Sequence, residues 1–174
     1  MSKILLSHQQ KYILRVLESL RYIRLCQLLE LTKSEFPAMK VGITEGRMVV
    51  MLRQLIRGNY DIVLDNGVVR MGNVKVDPLV LEAIDVMLEI TDRCPAGFTR
   101  EKEPDVLLRF YERQIYTVMR LTTETMPKME EISPKREERI IWLSETLKPE
   151  DCQNIPERQF FAQKGEGGVY HFYH

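Results

Sequence analysis

The chain has 174 residues, 44% of them apolar and 29% charged, and its 25 Lys and Arg balance 25 Asp and Glu for a formal net charge of zero. This composition excludes collagen-like, low-complexity and disordered chains, and no apolar run approaches the ~20 residues that span a bilayer. The short apolar run after Lys3 is too brief for a secretory signal, so a soluble, cytoplasmic protein is expected.

The zero net charge hides an asymmetry. Residues 1–76 carry 12 Lys and Arg against 6 acidic residues, whereas residues 77–174 carry 13 against 19. Such a division points to a nucleic-acid-binding part joined to something else, although solubility alone also gives small domains a net charge. Cys26, Cys94 and Cys152 are widely spaced with no Cys-x-x-Cys pair, which fits reduced thiols better than a disulfide frame or a zinc site.

Ser7-His8-Gln9-Gln10 sets Ser and Gln three apart ahead of a periodic apolar run, the pattern of a capping box. The helix that follows is expected to bury Tyr12, Ile13, Val16, Leu17 and Leu20. A second short helix near Arg24–Leu31 offers Leu25, Leu28 and Leu29, and Phe36-Pro37 and Gly42 mark an irregular connection. In a third helix, Met48, Met51, Leu52, Leu55 and Ile56 share one face. Gly46, Arg47, Val50, Arg53, Gln54 and Arg57 share the other, and Gly58-Asn59 ends it. Tyr60–Asp65 and Val68–Met71 then flank Asn66-Gly67, the strongest local signal for a β-hairpin, because both central positions need positive φ.

Asp77-Pro78 opens a further helix over residues 78–92, apolar on more than one stripe (Leu79, Leu81, Ile84, Val86, Met87, Leu88, Ile90). Cys94–Pro104 reads as a loop. Val106–Tyr111 and Ile115–Leu121 are expected to pair as an antiparallel hairpin, and Thr122–Glu137, polar and punctuated by proline, as an exposed loop. Arg139–Ser144 is read as a strand in preference to the end of a helix starting at Ser133-Pro134, Lys148–Asn154 as a short helix, and Arg158–Ala162 and Val169–Tyr173 as closing strands around Gly165–Gly168. The fold class is therefore α+β. A winged helix-turn-helix over 1–76 is followed by a connecting helix over 77–93 and a small mixed α/β domain over 94–174.

The third helix carries the functional expectation. A helix fits the B-DNA major groove, and the arginine fork takes either the acceptors of guanine or a phosphate. Arg47, Val50, Arg53 and Gln54 are placed to read bases, and Thr44, Arg57 and Arg70 to contact phosphate. Against this stands the plain alternative of a solvated face on a core helix. The wing tip, Leu64–Val68, also brings no Lys or Arg and one Asp, with Arg70 and Lys75 only at its base.

Ser7–Leu31 (SHQQKYILRVLESLRYIRLCQLLEL) and Gly46–Val69 resemble winged-helix proteins of the replication-relaxation type, encoded on plasmids and conjugative elements of Gram-positive bacteria, and short clostridial relatives of them. The likeness covers about the first 75 residues, with Asp105–Met119 as weaker support. It implies a DNA-associated, non-catalytic regulator or accessory factor of a mobile element.

The second domain's element order is also compatible with a degenerate form of the restriction-endonuclease-like core, in which a Pro-Asp carboxylate and a Glu-x-Lys strand hold Mg²⁺. Pro104-Asp105 is present, but the nearest match to the other half is Glu137-Glu138-Arg139, and arginine does not readily lose its proton. His171 and His174, three apart on a strand, point to opposite faces. Gly165–Gly168 opens no helix and so lacks a phosphate cradle. No metal, cofactor or small-molecule ligand is expected. Duplex DNA is the expected partner, and the helix over 78–92 is a candidate surface for homodimerisation. Two rival functions remain, a protein–protein adaptor built on the same fold and a metal-dependent nuclease.

Overall fold

A computed structural model describes residues 5–174, so the start of the segment weighed as a signal sequence lies outside the described residues. The chain is mixed α+β and divides between Asp77 and Pro78 into two compact units, each with its own sheet.

In the first unit, helix α1 (His8–Leu20) is followed by strand β1 (Tyr22–Arg24), helices α2 (Leu25–Glu35) and α3 (Glu45–Arg57), and strands β2 (Ile62–Asp65) and β3 (Val68–Met71). The capping box at the start of α1 is present: Ser7 Oγ accepts from the Gln10 backbone N–H at 3.1 Å and Gln10 Oε1 accepts from the Ser7 N–H at 3.0 Å. Ile13, Val16, Leu17 and Leu20 are buried, as are Leu25, Leu28 and Leu31 of α2 and Met48, Met51, Leu52 and Leu55 of α3. Three expected core positions differ, since Tyr12 and Leu29 are half-buried and Ile56 is exposed. Each lies at the margin of its helix's apolar stripe, where the helical repeat of 3.6 carries it away from the core. The connection Pro37–Gly42 takes 3-10 turns, and α3 ends on Asn59, whose φ of 63° supplies the left-handed residue.

The sheet is antiparallel in the order β1-β3-β2. Asp65 pairs with Val68 across Asn66 and Gly67, whose φ values of 50° and 73° are those a two-residue turn demands. Gly67→Ala would place a Cβ in the left-handed region, and a loss of roughly 1–2 kcal/mol is expected, read as a lower midpoint in thermal unfolding. Gly67→Asn, which tolerates that region, should lose less.

Helix α4 (Pro78–Ile90) opens the second unit and packs on its sheet. Its apolar residues Leu79, Val80, Leu81, Ala83, Ile84, Val86, Met87 and Leu88 are all buried within a single copy of the chain. Ile90, near the end of the helix, stays half-buried. Strands β4 (Gly97–Thr99), β5 (Val106–Tyr111), β6 (Ile115–Arg120), β7 (Glu138–Leu143), β8 (Gln159–Lys164) and β9 (Tyr170–Tyr173) form a six-stranded sheet in sequence order. The β5–β6 pair is antiparallel, while β6–β7 and β7–β8 are parallel.

Parallel neighbours need crossovers, and this changes the role of Thr122–Glu137. It is a crossover rather than an exposed loop, with a short helix α5 (Lys128–Glu131) inside it. Thr125 and Met129 are buried, and Met126 and Ile132 pack against a core of Val106, Met119, Leu121, Met129, Ile140, Trp142 and Phe161. The helix expected over Lys148–Asn154 shrinks to a 3-10 turn at Pro149–Asp151. The closing strands pair antiparallel around Gly165–Gly168. Among the described residues, no helix is long and apolar enough to cross a membrane.

Candidate nucleic-acid interface

Helix α3 is held by its apolar face against α1, α2 and β2, which fixes the direction of the other face. Arg47, Val50, Arg53, Gln54 and Arg57 fall at spacings of three and four on that face and are exposed. Val50 retains 50% of its surface, unusual for a valine with core available beside it. Among the described residues, no ion pair engages Arg47, Arg53 or Arg57, so three guanidinium groups on a helix of 13 residues stay unneutralised. At the start of the helix, Thr44 is an N-cap whose Oγ1 accepts from the Arg47 N–H at 3.2 Å. Its hydroxyl proton remains a donor for an external oxygen.

Arg70 is set apart from this row. It pairs with Tyr22 and Val63 across the sheet, and side chains alternate between faces along a strand. It therefore lies on the face opposite the buried Ile23 and Val69, and its Nη1 donates to the Gly72 carbonyl at 3.1 Å. Gln54 carries a link that its place on the exposed face conceals. Gln10 Nε2 of α1 donates to Gln54 Oε1 at 2.9 Å, across 44 residues of sequence. The sequence signal for this was the capping box itself, which identifies Gln10 as a local cap and is silent about its second arm.

The second unit does not bring together the carboxylates that a nuclease metal site needs. The Asp105 carbonyl accepts from the Arg120 N–H at one end of β6, while Glu138 pairs with Ile115 at the other end. Five residues of strand separate those positions, or roughly 16 Å at ~3.3 Å per residue, too far for the two carboxylates to share one ion. The Asp105 carboxylate instead holds the Lys128 ammonium, whose pKa it raises first by the hydrogen bond and then by its charge. Arg139 donates to the carbonyls of Arg136 and Glu138. Among the described residues, no group of three His, Cys, Asp or Glu side chains is placed to hold a metal.

Cys26 and Cys94 are exposed and unpaired, and Cys152 is half-buried. Burial, and then the charge of Asp151, push the Cys152 thiol above its ordinary pKa. His171 and His174 are both exposed.

The chain is thus an α+β protein whose first unit displays an arginine-bearing helix face. No protein-family model, curated protein or solved structure matches it.

Proposed function

We propose that the first unit is a winged helix that binds duplex DNA by laying α3 in the major groove, and that the protein acts without catalysis, as a regulator or accessory factor. The observation that carries this reading is the exposed row Arg47, Val50, Arg53, Gln54 and Arg57, with three arginines that no carboxylate among the described residues engages. The helix order and the hairpin after α3 agree with it: two helices position a third, and the β2–β3 turn supplies the wing. Arg47, Arg53 and Arg57 neutralise phosphate or reach guanine, while Val50 and Gln54 face base edges. Thr44 holds a phosphate through its hydroxyl and the first-turn N–H groups. Arg70, tied to Gly72 on the other sheet face, contributes little.

A gel-shift titration of the full chain on duplex oligonucleotides at low salt tests the reading. Retardation of the duplex relative to a lane without protein is expected. No retardation of any duplex would leave the adaptor reading in its place.

A further inference from the structure

We infer that α3 selects thymine through Val50 and Gln54 acting together, with the buried Gln10 as the positioning residue that decides which atom of Gln54 meets the base. The inference rests on the DNA-binding reading above.

The orientation of Gln54 follows from a chain of obligatory donors. A backbone N–H only donates, and that of Ser7 points at the Gln10 amide at 3.0 Å, so that arm of Gln10 is its oxygen. The other arm, Nε2, therefore faces α3, where it meets Gln54 at 2.9 Å. An NH₂ group needs an acceptor, so Gln54 turns its oxygen inward and leaves its own NH₂ for a ligand. Gln10 is only 5% exposed, so water does not readily replace the bond.

A glutamine with both arms free reads adenine, giving a donor to N7 and an acceptor to the N6 amine. Gln54 has its oxygen turned to Gln10 and presents its NH₂ as the free arm. One turn before it, Val50 presents an exposed apolar surface, and residues four apart on a helix have Cβ atoms roughly 5–6 Å from each other. In the major groove, thymine shows an acceptor, O4, beside its C5-methyl group. Guanine and the N7 of adenine offer acceptors but no methyl, and cytosine presents an amine that opposes an NH₂. An exposed valine beside an oriented NH₂ donor therefore complements thymine.

The test is selection by the full chain from duplexes with a randomised centre, followed by titration of the enriched duplex with thymine replaced by deoxyuridine. Uracil keeps O4 and lacks the methyl, so the wild type should bind it about fourfold more weakly, the worth of one buried methyl-sized group. Val50→Ser should lose that difference. In Gln10→Glu the carboxylate still accepts from Ser7 but cannot donate to Gln54, whose amide turns over. The thymine position in the enriched sequence should become adenine or cytosine. An enriched sequence with no thymine position, equal wild-type binding to the uracil duplex, or an unchanged preference in folded Gln10→Glu would each overturn the inference while leaving DNA binding intact. If Gln10→Glu does not fold, the uracil comparison between wild type and Val50→Ser decides alone. Absence of any duplex binding at low salt would remove the underlying reading, and the inference with it.

Discussion

Replacing Trp142 with alanine is expected to cost about 3–5 kcal/mol from the emptied volume alone, enough to unfold much of the second unit when typical domains hold only ~5–15 kcal/mol. Trp142 is fully buried in the cluster formed by β5, β6, β7, β8 and the β6–β7 crossover. Its Nε1–H donates to Gln159 Oε1 at 2.8 Å. Gln159 is also fully buried, and its Nε2 donates to the carbonyls of Met129 and Ile132 at 2.8 and 2.9 Å. One glutamine thereby fastens the tryptophan on one strand to the crossover that makes the β6–β7 pair parallel. Trp142→Phe keeps most of the apolar contact and isolates the lost donor, for which ~1–3 kcal/mol is expected, the cost of a stranded buried acceptor. Gln159→Leu strands the indole N–H and both carbonyls and should match or exceed it. Urea unfolding followed by far-ultraviolet circular dichroism measures all three. A Trp142→Ala midpoint equal to that of the wild type would show that this cluster does not hold the unit together.

The second large effect concerns α3. Each good arginine contact to base edges is worth about 1–3 kcal/mol, so Arg47→Ala or Arg53→Ala should weaken duplex binding by roughly one order of magnitude. Arg47 and Arg57 differ in kind. Arg47 lies on the first turn, where base edges are met in helix-turn-helix docking, and its loss should relax sequence preference as well as affinity. Arg57, on the last turn, should weaken binding to all sequences alike if it meets phosphate. None of the three side chains makes an ion pair among the described residues, and all are exposed, so stability should change by less than ~0.5 kcal/mol. Arg70→Ala provides the internal control, because its guanidinium is already held by Gly72 on the far sheet face.

What the sequence revealed and what it hid divide along the range of the interactions. The Asn66-Gly67 turn and the Ser7/Gln10 cap are local: a few residues decide φ or satisfy an N–H, and both are present as expected. Strand β1 was not legible. Tyr22–Arg24 is three residues long and exists by pairing with Val68–Arg70, a partner more than forty residues distant in the sequence. Gly97–Thr99 is likewise a strand only because it pairs with Arg109–Tyr111, although that partner lies nearer in the sequence.

The crossover over residues 122–137 was hidden for a different reason. Its polar and proline residues mask the spacing Met126, Met129, Ile132, which turns one side toward the core. At the candidate site, periodicity identified the exposed row on α3, but it gave no sign that Gln54 is turned by Gln10 or that strand alternation separates Arg70 from the row.

The central claim is that the arginine-bearing face of α3 engages duplex DNA and neutralises phosphate charge. Its most direct test is the dependence of duplex affinity on salt for the wild type and for the combined Arg47→Ala, Arg53→Ala, Arg57→Ala variant. The logarithm of affinity should fall linearly with the logarithm of salt, with a slope of about −0.9 for each phosphate neutralised. Removing all three arginines should flatten that slope by up to ~2.7 if each engages one phosphate, with the variant's unfolding curve unchanged. A wild type that binds duplex with no salt dependence, or a variant whose slope equals that of the wild type, would contradict the claim.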